Sequence, residues 1–368
     1  MIITDIETIP LLVPLPRTFR GSHYHMSHRA TLITRVHTDE GLTGEIYNGD
    51  DPNTQHAVAR IIREEILLRL RSANPLHIES LWERMLPLTF DILRDRREVI
   101  LAISAVDSAL WDLAGKSAAM PLSLLWGGHR DALPIIAIGG YYGADLGELT
   151  KEVEDYHELG LSGIKMKVGG RAPEDDAERV RHVRAVGGDD FVVIVDANGG
   201  YTVREALQFV RLVDGADLRW FEEPVRWYED RTGMRDVRYK SGVPVAAGQS
   251  EISRAGIRTL LAEGAIDVCN FDASWAGGPT EWRRVAGLTS AFGVEMAHHE
   301  EPQVAAHLLA SVPHGTYLEC FHPDRDPIFW NLIANRPTID DGWYPVPQGP
   351  GFGLELDPEW IEHHRADR

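Results

Sequence analysis

The chain has 368 residues, 43% of them hydrophobic and 25% charged, which is ample for a buried core and argues against disorder. Lys and Arg number 37 against 56 Asp and Glu, a formal net charge of −19, so the surface repels phosphate backbones and anionic lipid; nucleic acid and membrane surfaces are not expected partners. No apolar run reaches the roughly 18 residues that span a bilayer, and MIITDIETIPLLVP carries acids where a leader would carry basic residues. The two cysteines, Cys269 and Cys320, make no disulfide framework. These features together predict a globular cytoplasmic enzyme.

The first segment reads as a small β-meander. Ile2 to Val13 is apolar and β-branched, Ala30 to Val36 alternates, and Asp39-Glu40-Gly41 turns the chain into LTGEIYN. Between the first two strands FRGSHYHMSHR reads as a polar, His-rich loop. Residues 55–127 read as helical: HAVARIIREEILLRL and SLWERMLPLTFDIL have the 3.6 period, and VILAISAVDSALWDLAGKSA is a more buried helix. Beyond residue 132, short apolar strands alternate with amphipathic helices. The strands are LPIIAIGG, LSGIKMKVG, FVVIVDAN, LRWFEEP, VPVAAGQSE, IDVCNFD, FGVEMAHH and GTYLECF. That alternation demands parallel strands with right-handed crossovers, and eight such units close into a (β/α)8 barrel. VGGR and NGGY do not match G-x-G-x-x-G, which counts against an open dinucleotide-binding sheet. The tail GPGFGLELDPEWIEHHR, with a Gly-rich turn and one short strand, is expected to fold back on the first segment.

In such a barrel the working groups project from the carboxyl ends of the strands. Those ends carry Lys165 and Lys167, Asp196 and Asn198, Glu222 and Glu223, Gln249 and Glu251, Asp272, His298 and His299, then Glu319. Asp196, Glu222 and an acid from the fifth strand would make an all-oxygen site, suited to Mg2+ over zinc. The lysines are only Lys116, Lys151, Lys165, Lys167 and Lys240, yet two stand one residue apart and point the same way. Paired ammonium groups depress each other's pKa, which predicts a base near neutrality. Asp272 could hold one nitrogen of His299 and raise the basicity of the other. His298 alternates to the other face. Glu319, among apolar neighbours, could donate a hydrogen bond to a developing oxyanion.

At this point the residues resemble the enolase superfamily, specifically its mandelate racemase subgroup. SAVDSALWDLAGKSAAMPLSLLWGG resembles the linker helix, LSGIKMKVG its K-x-K motif, VDANGG and FEEP two metal-ligand strands, NFDASWAGG the Asp strand, and MAHHEEPQVAAHLLA with YLEC the His and Glu strands. The resemblance implies an α/β protein: a modified barrel, (β/α)7β, over residues 131–339. An α+β cap of residues 1–130, completed by 340–368, would cover it. It also implies Mg2+-assisted abstraction of the proton α to a carboxylate, with Lys167 the base on one face and the His299–Asp272 dyad the acid or base on the other. Lys165 and Glu319 would assist the enediolate. The third ligand of the family directly follows Gly on the fifth strand, where this chain has Gln249; Glu251, two residues on, could supply the carboxylate instead. The muconate cycloisomerase and dipeptide epimerase branch needs a lysine on the sixth strand. No lysine follows Lys240, which excludes that branch. A small-molecule acid is the implied partner, and homo-oligomers are the common assembly of such enzymes.

Two bases serve either racemisation or dehydration. His23, Tyr24, His25 and His28 in the cap loop offer hydrogen bonds, as do Tyr47, Asn48, Tyr141 and Tyr142. That suits a polyhydroxylated acid, an aldonate or aldarate, and predicts an acid-sugar dehydratase; a racemase or epimerase is the alternative. A more remote reading takes His23-Tyr24-His25 as the H-x-H of a zinc-dependent barrel hydrolase.

Overall fold

Ile3–Arg20 (β1), His25–Thr38 (β2) and Thr43–Asn48 (β3) form an antiparallel meander in the computed structural model, which describes residues 1–367. The hairpin is longer than expected. Pro14 and Pro16 cannot donate to the ladder, which is interrupted between Pro14 and Phe19. Pairing then resumes as Phe19 with Met26 and Arg20 with His25, because the Phe19 ring is buried edge-on against Tyr141, 5.3 Å away. Most of the expected His-rich loop is therefore strand, and only residues 21–24 turn, closed by Gly21 N–H donating to the Tyr24 carbonyl at 3.0 Å.

Helical structure follows from Gln55, but it stops at Phe90 rather than Leu93. There the Asp91 carboxylate accepts from Leu93 N–H at 2.9 Å and turns the chain. The helix Arg96–Ala118 starts at Asp95, which accepts from Arg97 N–H, and ends at Ala119 in the left-handed region (φ 52°). It is apolar nearly all round because it is packed on both sides, against β3 and against the helix Gly278–Phe292. The latter approach requires glycine: a Cβ on Gly278 (φ +82°) would lie 2.3 Å from Asp107 Oδ2. Asp107 accepts instead from Thr280 N–H (2.9 Å) and Oγ1–H (2.7 Å).

All eight expected barrel strands form among the described residues: Ala132–Gly139 (β4), Gly163–Lys167 (β5), Val192–Asp196 (β6), Leu218–Glu222 (β7), Val245–Ala247 (β8), Val268–Cys269 (β9), Glu295–Met296 (β10) and Leu318–Phe321 (β11). Each pairs in parallel with the next from β4 to β10, and β11 pairs with β4. Met296 closes the ring by exchanging hydrogen bonds of 2.8 Å with His314 and Thr316, just before β11. Helices cross over between successive strands, so the architecture is a (β/α)7β barrel beneath an antiparallel cap sheet. Ile136, Ile194, Trp220, Ala246, Val268 and Ala297 fill the barrel interior as a separate apolar plug. Two residues further along β6 and β7 the same inward face presents polar groups, because side chains alternate. After the barrel, Trp343–Pro345 (β12) pairs antiparallel with β4, so this short strand joins the barrel sheet. The helix Pro358–His364 then returns to β1, where Ala366 N–H donates to Pro10 at 2.9 Å. No helix among the described residues is long and apolar enough to cross a membrane.

Candidate active site

Register brings the central groups together. Lys167 is the Cα partner of Asp196, and Asp196 of Glu222, so three strand ends present adjacent inward side chains. Lys167 Nζ donates to Asp196 Oδ2 at 2.7 Å and to Asn198 Oδ1 at 3.2 Å. Asn198, in the left-handed region at φ 45°, also donates its backbone N–H to Asp196 Oδ1 at 2.8 Å. Lys165, fully buried, bridges Glu222 Oε1 (3.0 Å) and Glu319 Oε1 (2.8 Å).

The expectation that the two lysines depress each other is not met. Burial does pull both down, but the carboxylates outweigh it: Glu222 and Glu319 hold Lys165 above its ordinary value, and Asp196 does the same for Lys167. Each ammonium has a carboxylate at contact distance, which decides the sign. Burial and the charges of Asp196 and Glu319 push Glu222 up despite Lys165. Asp196, also buried, is held down by Lys167 and Lys165.

On the seventh strand end, His299 Nδ1 lies 3.0 Å from Asp272 Oδ2, the dyad geometry expected from sequence. Asp272 is fixed in turn by Ser274 N–H (2.7 Å) and Trp275 N–H (3.2 Å), and the Trp275 ring packs 4.8 Å from the imidazole. Burial and the two lysine charges hold His299 well below its ordinary pKa, so it is neutral; burial, with the charges of Glu301 and Glu300, holds Asp272 well above its own. His298 faces away: its Nε2 accepts from Ala273 N–H at 3.0 Å, which leaves Nδ1–H for the His299 carbonyl at 2.9 Å. Beyond His299, Glu300 Oε1 stands 3.3 Å from Nε2, and its other oxygen accepts from Arg29 at 3.2 Å.

The charge argument for Glu251 fails on geometry. β8 ends at Ala247 and Gly248 turns the chain (φ +144°), so strand alternation stops before Gln249 and does not carry to residue 251. Glu251 pairs with Arg231 of the helix Asp230–Ser241. Gln249 is the residue brought inward, with Nε2 donating to Glu223 Oε2 at 2.8 Å. Among the described residues no three carboxylates, imidazoles or thiols converge as a metal cage. The donors available to a cation are Asp196, Glu222 and the neighbouring Gln249 amide and Glu223, all oxygen donors. Lys165 and Lys167 against Asp196, Glu222, Glu223 and Glu319 carry a formal 2 − 4 = −2. That set fits a hard divalent ion such as Mg2+, which binds through one or two carboxylates and keeps several waters.

The cap contributes a cavity of about 510 Å³, lined by His25, His28, Asn48, Asp50, Arg97 and Trp275, with Tyr24 at its edge. The Tyr24 ring lies 5.7 Å from Lys167 Nζ and the Trp275 ring 4.8 Å from that of His299, so two lining residues each border one of the proton-transfer groups. Four of the residues expected to offer hydrogen bonds stand outside its lining, among them Tyr142, whose hydroxyl donates to Asp176 at 2.8 Å. His23 is exposed at the hairpin turn, Tyr47 is buried with no partner for its hydroxyl, and Tyr141 packs on Phe19 and accepts from Arg325 Nε at 3.3 Å. Sequence reading missed Trp275, Glu300, Arg29 and Arg325. Only Trp275 had a signal, two residues into the turn that Asp272 caps.

Two family models cover most of the chain: the mandelate racemase/muconate lactonizing enzyme N-terminal domain over residues 6–127 and the enolase C-terminal domain-like family over residues 148–360. The chain is 31% identical over 356 residues to a 3,6-anhydro-alpha-L-galactonate cycloisomerase of Streptomyces coelicolor, covering 97% of this chain and 96% of that one. It is 29% identical over 345 residues to an arabinonate dehydratase of Saccharolobus solfataricus, covering 91% and 90%. A mandelate racemase/muconate lactonizing enzyme from a marine actinobacterium, solved in complex with magnesium, superposes with a TM-score of 0.94 at 50% identity over 100% of this chain and 99% of that one. The chain therefore belongs to the mandelate racemase/muconate lactonizing enzyme family of the enolase superfamily, and it is an enzyme.

Proposed function

We propose that this enzyme removes the proton α to a carboxylate and expels the β-hydroxyl as water, converting an acid sugar to a 2-keto-3-deoxy acid with Mg2+ as cofactor. One observation carries the reading: two proton-transfer groups reach one barrel mouth from different walls, Lys167 on β5 and the His299–Asp272 pair beyond β10, around buried carboxylates. Asp196 and Glu222, with Gln249 beside them, would hold the cation, which when bound supplies positive charge to the substrate carboxylate. Lys165, buried and charged, would donate to the same carboxylate. Neutral His299 is ready to accept a proton, and once protonated it can deliver one to a departing hydroxyl; Asp272 steadies the imidazolium. Lys167 is held as an ammonium by Asp196, and turning that carboxylate toward a cation would free it to act as a base. The names of relatives, including an L-talarate/galactarate dehydratase at 29% identity, support acid-sugar chemistry, as do the hydrogen-bonding side chains of His25, His28 and Asn48 in the cap cavity. In this reading the cap, residues 1–130 with the part of 340–368 that follows the Trp343–Pro345 strand, encloses the substrate over the barrel of residues 131–339.

Racemisation or epimerisation of a 2-hydroxy acid is the second reading, favoured by the same two walls. The zinc hydrolase reading has no support in geometry, since His23 and His25 are exposed at the hairpin turn. The test is a screen of aldonic and aldaric acids with Mg2+, reading 2-keto acid formed. Product that disappears with EDTA supports dehydration. Deuterium uptake at the α carbon without keto acid turns the assignment to racemisation, and neither signal with any acid sinks both.

A further inference from the structure

Arg325 lies just beyond β11, and its side chain is 1% exposed. A guanidinium has five N–H donors. Here Nε donates to the Tyr141 hydroxyl at 3.3 Å, Nη2 to the Met26 sulfur at 2.7 Å, and Nη1 has no partner. Among the described residues no carboxylate lies within 4.0 Å of it, in contrast to the other buried arginines. Arg179 pairs with Asp176 at 3.1 Å, and Arg29 has four carboxylates around it. The Phe321 ring, 4.3 Å from the Arg325 Cζ, offsets part of the loss of water but satisfies no N–H group. A thioether is a poor acceptor for a cation. A buried, charged fork with free donors is a site that lacks its anion.

The position gives the anion a source. Arg325 follows β11, which neighbours β4 in the barrel that carries Asp196 and Glu222 at the ends of β6 and β7, and Met26, which its Nη2 contacts, lines the cap cavity. Tyr24 stands between the two regions, acting electrostatically on both Lys167 and Arg325. The nearest acid in electrostatic terms, Glu300, already has its oxygens on Arg29 (3.2 Å) and His299 (3.3 Å). On its other side Arg325 borders a cavity of about 210 Å³ where Glu148, Glu152, Asp155 and Asp324 stand beside Arg17 and Lys151, so carboxylates already accompany the cations there.

We infer that Arg325 binds a second carboxylate at the far end of the substrate, so that the substrate is a diacid of the aldarate class. The inference rests on the acid-sugar reading above. One carboxylate lies on the Asp196, Glu222 and Lys165 side; the other displaces the Met26 sulfur from Nη2, takes up Nη1 and pairs with the fork through two parallel hydrogen bonds. An aldonate places a neutral hydroxyl there and leaves the cation unpaired.

The test measures calorimetric binding of galactarate, glucarate, galactonate and gluconate with Mg2+, in a Lys167→Met background that blocks turnover. Arg325, Arg325→Met and Arg325→Lys are compared. With Arg325 in place, at least one aldarate should bind about tenfold or more tighter than its matching aldonate; Arg325→Met should weaken that aldarate about a hundredfold and the aldonate by less than about threefold. Arg325→Lys should recover part of the loss. Equal affinity for both classes, or equal loss of both in Arg325→Met, overturns the inference. Thermal unfolding without ligand is an independent reading. Removing an unpaired buried charge should raise the midpoint of Arg325→Met, whereas a lowered midpoint means the charge is already balanced within the fold and overturns it. Failure of the acid-sugar reading looks different, because then none of the four acids binds any variant. In that event excess succinate decides: a midpoint rise in the Arg325 protein that is absent from Arg325→Met sustains the anion site, and no rise overturns it.

Discussion

Replacing Arg29 by methionine should destabilise the protein more than replacing any surface arginine. Arg29 joins the cap to the barrel: it leaves β2, meets Asp50 just beyond β3 (3.1 Å), Glu300 (3.2 Å) and Glu301 (3.8 Å) beyond β10, and Asp326 (3.3 Å) beyond β11. All five side chains are buried or nearly so. Burial and neighbouring carboxylates push Glu301 up to about 8 and Asp50 up to about 6, so Asp50 faces the guanidinium as an anion at pH 7.5. Removing one partner from a buried pair costs about 3–5 kcal/mol, because the remaining charge is left uncompensated. In Arg29→Met the acids can escape that cost only by taking up protons, which raises their folded pKa values further. A group with a raised folded pKa loses its contribution as pH climbs through that value. The variant's deficit should therefore be about 3–5 kcal/mol at pH 7.5 and at least about 1 kcal/mol smaller at pH 5.5, where Asp50 is protonated in both proteins. Urea unfolding followed by tryptophan fluorescence and circular dichroism at both pH values measures this. A deficit below about 1 kcal/mol, or one independent of pH, refutes the reasoning.

Three other outcomes follow from the same geometry. Asp272→Asn should leave the fold intact and lower kcat by about 10²–10⁴, since Nδ1 of His299 loses its carboxyl partner; α-proton exchange by NMR reads this, and a loss under about threefold would count against the dyad. His307 is neutral and pushed down to about 4 by burial; it accepts from Ser123 N–H at 3.1 Å through Nδ1 and donates to the Phe352 carbonyl at 3.0 Å through Nε2. A depressed folded pKa means stability is complete above pH 6.5 and is lost as pH falls toward 4, by up to about 3 kcal/mol, and His307→Gln should flatten unfolding midpoints across that window. Gln249→Glu would place two carboxylates where an amide now donates to Glu223 at 2.8 Å. Its unfolding temperature should fall in EDTA and rise more with added Mg2+ than that of the parent; an equal response in both would show that position 249 does not face the cation.

The barrel was legible because short, mostly apolar strands alternate with helices and those from the second to the eighth lead into polar residues, and closure of eight such units brings those ends into one mouth. Lys167, Asp196, Glu222, Asp272 and His299 follow from that topology alone. What depended on distance was not legible. Two lysines one residue apart read as mutual repulsion, but the fold puts a carboxylate within 3.0 Å of each and reverses the sign. The choice between Gln249 and Glu251 turned on where β8 stops, and a three-residue strand ending at Ala247 has no pattern that marks its last residue. The hairpin hid its length because an exposed strand rich in His and Ser looks like a loop. Arg29 and Arg325 sit in polar sequence, and nothing in composition separates a buried arginine from a solvated one.

Buried charge gives these separate features one explanation. A protein interior tolerates ions in compensated groups, and most of the interior here obeys that rule: Arg179 with Asp176, and Lys165 between Glu222 and Glu319. Two places break it in opposite directions. Around Lys165 and Lys167 the carboxylates exceed the ammonium groups, and burial with the surplus of negative charge pushes Glu222 and Glu223 up. At Arg325 the surplus is positive and donors stand free. On the proposed reading, a divalent cation would balance the first and an anion the second. A molecule spanning them must present a carboxylate toward the cation and another anionic group toward the guanidinium, with a middle that can hydrogen-bond to the polar cap. Selectivity would then come from the penalty each unbalanced end imposes on the wrong ligand, since an acid lacking the second charge leaves a buried cation with only a ring, a tyrosine hydroxyl and a thioether beside it.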